Sequence, residues 1–145
     1  MKLPCLLEYR DLAMRMVTST CKLIAARQEP HRSGNGAPGR IADEWGDQVI
    51  SAFGEAFNNV VLHAYANAGG ELEIEIEPAE DRLTIRVIDY GRPFDFDAVE
   101  APDLDTLPES GLGIFIIRAC MDDVSYHSGS PNILSMTKYL VRQGV

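Results

Sequence analysis

The stretch that decides the fold is Ser51 to Tyr65, SAFGEAFNNVVLHAY. At about 100° per residue its apolar side chains, with the two before them, fall on one arc of an α-helix. The members of this arc are Val49, Ile50, Phe53, Ala56, Phe57, Val60, Val61 and Ala64. The sequence therefore predicts one central helix, which begins within Ile41–Asp47 and ends near Asn67, where Gly69-Gly70 stops it.

The opposite side of this helix is polar and carries Glu55, Asn58, Asn59 and His63. Glu55, Asn59 and His63 follow an i, i+4, i+8 spacing, which places them in one line along a helix. Asn, His and the neighbouring Gly54 all lower helix propensity, so solubility alone does not explain their choice. Two interpretations stay open: a solvated face, or a carboxylate and a carboxamide that share a metal or orient a reacting hydroxyl.

Composition narrows the class of protein. The 145 residues suit a single domain, 1–145, and an apolar content of 46% is ordinary for a globular protein. A net charge of −9 argues against direct binding to nucleic acid. No apolar run is long enough to span a membrane, so no membrane partner is expected. Scattered Cys5, Cys21 and Cys120 favour reduced thiols and a cytoplasmic location.

Hydrophobic periodicity predicts the remaining elements. The predicted strands are Leu3–Tyr9, Glu71–Glu77, Arg82–Asp89, Val124–Ser128 and Ile133–Val141, the further helices are Leu12–Arg27 and Gly111–Met121, and the long loops are Gln28–Arg40 and Tyr90–Ser110. The residues predicted to lie near one face of the first helix are Leu12, Met16, Thr20, Leu23 and Ile24. The predicted fold is α+β, a two-layer α/β sandwich with a mixed, mostly antiparallel sheet and helices on one face.

Asp89 is an unusual residue for its place in the pattern. It has the strand parity of Leu83, Ile85 and Val87, so its carboxylate is expected to point toward the core. A buried carboxylate is costly without hydrogen-bond donors. Either backbone amides of the next turn supply them or a ligand does, and an Asp that merely starts a turn before Gly91 is the competing interpretation.

Ser110-Gly111-Leu112-Gly113 precedes an apolar helical segment. Two glycines at a helix N-terminus let backbone N–H groups approach an anion, and the helix dipole favours negative charge there. Such a pair is more often only a turn. The sequence has neither the Walker pattern nor the strand–GxGxxG–helix pattern, so the P-loop and Rossmann folds are excluded.

The combination is more specific than its parts, because it resembles the GHKL ATPase family, whose fold is of the Bergerat type. Within that family, Glu55-Ala-Phe-Asn-Asn-Val-Val-Leu-His-Ala-Tyr65 and Asp89-Tyr-Gly-Arg-Pro-Phe-Asp95 look like the anti-sigma-factor serine kinases of the RsbW and SpoIIAB type. Met121-Asp-Asp-Val-Ser125 is also similar to that group. The resemblance covers nearly the whole chain.

The resemblance implies a role for each matching residue. Glu55 would be the catalytic general base for a substrate serine, and Asn59 would bind the Mg²⁺ that bridges the phosphates of ATP. Asp89 would accept a hydrogen bond from the adenine amino group. The implied nucleotide-binding residues are Asn58, Asn59, Asp89, Gly91, Gly111, Leu112 and Gly113. Packing roles are expected for His63, Arg92 and Phe94.

The resemblance also implies partners. They are a STAS-type anti-anti-sigma protein as substrate, a sigma factor as a second partner, and a second copy of the chain in a homodimer. The alternative is a catalytically weak module that controls a partner by binding alone. Glu55 favours the kinase, whereas Pro93 to Ile117, with six carboxylates and no Lys or Arg, favours the alternative.

Replacing Glu109 with Arg is expected to tighten binding of ATP more than binding of ADP. The resemblance places residue 109 nearest the γ-phosphate, and the acidic segment raises the electrostatic cost of bringing in a triphosphate. Calorimetric titration with each nucleotide at saturating Mg²⁺ measures both affinities. Equal changes, or none, would show that residue 109 does not face the terminal phosphate.

Overall fold

The computed structural model of the chain describes residues 1–28, 40–65, 69–96 and 109–140. The elements are β1 (Lys2–Pro4), a 3₁₀ turn (Leu7–Tyr9), α1 (Arg10–Gln28), α2 (Arg40–Asn59), a π-helical turn (Val60–Ala64), β2 (Glu71–Pro78), β3 (Arg82–Asp89), α3 (Glu109–Cys120), β4 (Asp123–His127) and β5 (Asn132–Tyr139). The predicted α+β class is confirmed.

One five-stranded sheet has the order β1-β2-β3-β5-β4. Its four pairings are all antiparallel, so the described sheet is not mixed. The predicted β2–β3 and β4–β5 hairpins are both present, and Ile85 lies between Ile76 and Met136 on the core face. The neighbours β3 and β5 are far apart in sequence, and their register sets Asp89 directly opposite Asn132.

The core is organised around α2, as predicted. The helix packs on β3 and lies between α1 and α3. Phe53 and Phe57 are fully buried, and each buried aromatic side chain contributes roughly 2–3 kcal/mol by removal from water. The helix begins at Arg40, one residue before the predicted range. Its first turns are held at the end of β5, since Trp45 Nε1 donates to the Tyr139 carbonyl at 2.9 Å.

The face of the first helix that carries its larger apolar residues is not the face that the structure buries. The buried residues of α1 are Ala13, Val17, Cys21 and Ile24, of which only Ile24 belonged to the predicted set. Leu12, Met16 and Leu23 are exposed by 52%, 42% and 65%. The side of α1 that packs against the other elements is made mostly of small side chains, so the larger apolar residues face outward.

The first predicted strand was also too long. The strand β1 ends at Pro4 because its partner β2 begins at Glu71, and these two residues form the last pair of the register. The predicted residues after Pro4 form a bend and the 3₁₀ turn instead. Predicted loop residues 29–39 and 97–108, and the predicted ends at Asn67 and Val141, lie outside the described residues.

The three cysteines are free, as predicted. Burial raises the pKa of the Cys5 and Cys21 thiols to about 11, so both are protonated and unreactive at neutral pH. None of the helices in the described ranges is long and apolar enough to cross a membrane.

Candidate functional site

The contact between α2 and α3 brings together three of the predicted site residues. A Cβ atom placed on Gly113 would lie 2.9 Å from Glu55 Oε2 and 3.4 Å from Asn59 Oδ1. Glu55 and Asn59 are half-buried, and Gly113 is buried. Because a side chain at position 113 would fill the space beside both oxygens, glycine leaves a small polar recess there.

The start of α3 differs from its prediction in a way that matters for this recess. The helix begins at Glu109, so Gly111 and Gly113 lie inside its first turns and not ahead of them. Gly111 is buried, whereas Leu112 is exposed by 45%. The first N–H groups of a helix lack intrahelical partners, so this end of α3 can attract an anion. A phosphate-binding role for Gly111, Leu112 and Gly113 stays a prediction.

A narrow cleft, about 30 Å³ in volume, adjoins the recess and shares Asn59 with it. Its walls are mainly apolar and aromatic, with a few polar groups among them, and such a lining resembles that of small-molecule sites. The lining residues are Ala56, Asn59, Val60, Ala64, Asp89, Arg92, Phe94, Phe96, Tyr126 and Leu134. Asn59 therefore connects the recess beside Glu55 to the carboxylate of Asp89.

Asp89 points inward, as its strand parity predicts, and is only 4% exposed. Its Oδ1 accepts hydrogen bonds from the Gly91 amide and from Asn132 Nδ2, each at 2.9 Å. The backbone amide is one of the two donor sources that the sequence predicts. Asn132 was missed, because it follows a Gly-Ser-Pro turn and resembles an ordinary turn residue, and only the β3–β5 register reveals its partner.

Gly91 is required by a close backbone contact. A Cβ atom at this position would lie 2.3 Å from the Ala64 carbonyl oxygen. That oxygen, at the C-terminal end of the π-helical turn, accepts a hydrogen bond from Arg92 N at 2.8 Å. The end of the central helix and the end of β3 are therefore joined through their backbones, and this junction forms one wall of the cleft.

The π-helical turn also changes the expected line of polar residues. An i, i+4, i+8 line holds only in a continuous α-helix, whereas the wider turn over Val60–Ala64 rotates His63 away from it. The ring of His63 instead packs against Phe94, with 5.4 Å between centroids. This contact supports the predicted packing roles of His63 and Phe94.

The chain after β3 is held against α3 and β4. The Tyr126 hydroxyl accepts a hydrogen bond from Phe94 N at 2.9 Å, and the Tyr126 and Phe96 rings stack at 5.9 Å. Arg118 lies over the Phe96 ring at 4.6 Å and donates to its carbonyl at 3.1 Å. Burial raises the pKa of Tyr126, so its hydroxyl stays protonated at neutral pH. These contacts hold an aromatic wall of the cleft that Asp89 also lines.

Asn58 faces a different neighbour. Its Oδ1 accepts a hydrogen bond from Arg10 Nε at 2.9 Å, which ties the side chain to the start of α1. Gly54 permits this approach, because a Cβ there would lie 2.8 Å from Arg10 Nη2. Asn58 thus fixes α1 on α2, and its predicted contact with a phosphate or a water stays untested.

The donor set at the recess suits Mg²⁺. In the parts of the chain that the structure describes, no three His, Cys, Asp or Glu side chains are grouped to hold a metal. The recess instead offers one carboxylate and one carboxamide beside Gly113, both with hard oxygen atoms. Mg²⁺ commonly takes one or two such protein ligands and completes its shell with phosphate oxygens and water.

The chain is similar in sequence to known proteins. A family model described as a histidine kinase-like ATPase domain matches residues 23–138. A serine-protein kinase RsbW of Bacillus cereus is 37% identical over 102 residues, which cover 65% of this chain and 64% of the relative. The protein of the same name from Bacillus mycoides is 36% identical over 111 residues, 71% of this chain and 69% of that relative. The match to the Bacillus cereus relative spans slightly less than two thirds of its length.

Replacing Gly91 with Ala is expected to lower the free energy of unfolding by about 1–3 kcal/mol, because the new methyl group meets a backbone carbonyl that cannot turn aside. Gly46→Ala is the matched control. Its Cβ would meet only Cys21 Cβ at 3.8 Å inside α2, so we expect a gain of about 0.5–1 kcal/mol. Urea unfolding of both variants measures their free energies of unfolding. Equal values for the two variants would mean that the backbone at the junction can shift at little cost in free energy.

Proposed function

Because the chain belongs to the histidine kinase-like ATPase family, in its RsbW-type branch, we propose that it is an ATP-dependent serine kinase. Its substrate is a serine of a STAS-type anti-anti-sigma protein, and by binding a sigma factor it controls transcription. The observation that carries this proposal is the continuity of the site. Gly113 adjoins Glu55 and Asn59, and Asn59 lines the same cleft as Asp89.

Glu55 is the proposed general base. Two observations support this role: Glu55 is half-buried, and it lies beside Gly113 in the first turns of the helix proposed to hold the phosphates. In the proposed reaction Glu55 accepts the proton of the substrate serine while the serine oxygen bonds to the γ-phosphorus. The bond from that phosphorus to the bridging oxygen of ADP breaks, and ADP leaves with both electrons of the bond.

Asn59 is the proposed ligand of Mg²⁺, through its carboxamide oxygen. When bound there, Mg²⁺ would offset the charge of the phosphates. The amides at the start of α3, around Gly111 and Gly113, are proposed to bind the phosphate oxygens. At the other end of the cleft, Asp89 would accept a hydrogen bond from the adenine amino group. The apolar side chains of Val60 and Leu134, which line the same cleft, would lie beside the base.

The outward face of α1 supports the proposal of protein partners. Leu12, Met16 and Leu23 are exposed apolar residues on one helix, and exposed apolar patches often mark interaction sites. The partners proposed to bind the surface of the protein are a STAS-type protein, a sigma factor and a second copy of this chain. Light scattering after size-exclusion chromatography tests for the homodimer. A cytoplasmic location stays a prediction.

A second candidate function is a regulatory module that binds nucleotide weakly and controls its partner without phosphorylating it. The observation that favours it is the acidic sequence between Pro93 and Ile117, which contains no Lys or Arg. Incubation with radiolabelled ATP and a purified STAS partner separates the two functions. Transfer of label to the partner supports the kinase, and stable complex formation without transfer supports the module.

Glu55→Gln is expected to retain ATP binding, because the two side chains have the same shape, but to lower phosphorylation of the partner by about 10²-fold or more. Glu44→Gln is the matched control. This exposed residue lies on the same helix, about 16 Å along its axis from Glu55, and should leave the rate unchanged. Undiminished turnover in Glu55→Gln would show that another group accepts the proton.

Asn59→Ala is expected to weaken binding of Mg²⁺–ATP while the protein stays folded, since Asn59 lies off the buried arc of α2. Calorimetric titration with ATP, with and without Mg²⁺, measures the effect, and circular dichroism checks the fold. The loss should be largest with Mg²⁺ present. Equal affinities for the variant and the unaltered protein under that condition would contradict the assignment of Asn59 as a metal ligand.

A further inference from the structure

Asn132 is a fully buried polar residue whose hydrogen bonds all go to the end of β3 and its own turn. Its Nδ2 donates to Asp89 Oδ1 at 2.9 Å and to the Gly91 carbonyl at 3.0 Å. Its Oδ1 accepts from Gly129 N at 2.9 Å. Because the Gly129 amide needs an acceptor and Asp89 needs a donor, only one orientation of the carboxamide satisfies both sides.

This arrangement leaves the two oxygens of Asp89 in different situations. Oδ1 accepts two hydrogen bonds, from the Gly91 amide and from Asn132. No described residue donates to Oδ2, and Asp89 lines the cleft. Asn132 supplies its donor without adding charge, and both oxygens of a carboxylate are acceptors. A ligand atom that meets Oδ2 must therefore be a hydrogen-bond donor.

We propose that Asn132 is the positioning residue that sets Asp89 as an acceptor and thereby selects a purine with a 6-amino group over one with a 6-oxo group. An amino group donates to the carboxylate, whereas an oxo group would place two acceptors against each other, which leaves both unpaired. The inference rests on the proposed binding of ATP in this cleft and adds the residue that determines its base selectivity.

The groups around Asp89 allow the selectivity for a 6-amino purine to be tested by varying the pH. Cys5, Tyr65 and Tyr126 all interact with its charge, and burial, with a smaller contribution from that charge, raises the pKa of each. All three stay neutral between about pH 6 and 8. Arg92, which lines the same cleft, carries a positive charge throughout this range. A carboxyl introduced at position 132 would be the one new group able to titrate there.

The main experiment compares ATP with inosine triphosphate, which has a 6-oxo group, by calorimetric titration in Mg²⁺ between about pH 6 and 8. The unaltered protein should prefer ATP by about tenfold or more, at every pH, as expected for one hydrogen bond to a charged group. In Asn132→Asp two carboxyl groups would lie about 3 Å apart and share a proton as pH falls. The shared proton can be donated to the oxo group, so the preference for ATP should shrink at low pH and recover as pH rises.

Ser135→Asp is the matched control for added charge. It lies on the same strand, three residues further along, and is paired with Arg86 on the face of the sheet away from the cleft. It should keep the preference of the unaltered protein at every pH. If Asn132→Asp folds and also keeps a constant preference, or weakens both nucleotides equally, then Asn132 has only a structural role and the proposal is overturned.

A second pair of variants covers the case in which Asn132→Asp does not fold. Thr and Val have nearly the same shape, but only Thr has a hydroxyl that can donate to Asp89. Asn132→Thr should keep the preference for ATP within about threefold of the unaltered protein, and Asn132→Val should lose most of it. Equal preferences in the two variants would overturn the proposal. Failure of the unaltered protein to bind ATP would instead refute the proposed function itself.

Discussion

The structure depends on the burial of one helix. The apolar arc of α2 packs on the sheet, and Phe53 and Phe57 are inaccessible to solvent. Because α1 and α3 both pack against α2, its orientation sets theirs. The same burial decides which side of α2 is left for polar side chains, so Glu55 and Asn59 are placed by the packing of residues that never contact a ligand.

Two glycines allow neighbouring elements of the fold to come close enough to form the site. Gly113 lets α3 come close enough to α2 to stand beside Glu55 and Asn59, and Gly91 lets β3 join the end of the helix at Ala64. In both places a single methyl group would fill the space. The cleft between these junctions therefore depends on backbone geometry, and Tyr126 holds Phe94 and Phe96 in its aromatic wall.

The polar end of the cleft illustrates how a buried acidic side chain is accommodated. Asp89 is kept in the core by one backbone amide and one carboxamide, both neutral donors, so no second charge has to be desolvated. This leaves the carboxylate with capacity to accept a further hydrogen bond. The α2–α3 recess and the Asp89 end thus differ in character: the first offers oxygen atoms suited to a cation, and the second selects a donor.

The sequence by itself determined α2, the two hairpins and the inward direction of Asp89, because each depends on local periodicity: 3.6 residues in a helix and 2 in a strand. It also suggested Glu55, Asn59 and Gly113 as one site, through the resemblance. Only the tertiary structure decided which face of α1 is buried, since small residues there pack against α2 while Leu12 and Leu23 face outward. It alone paired Asp89 with Asn132, because β3 and β5 are neighbours in the sheet but not in the chain, and no local pattern reports the register of strands separated by a helix.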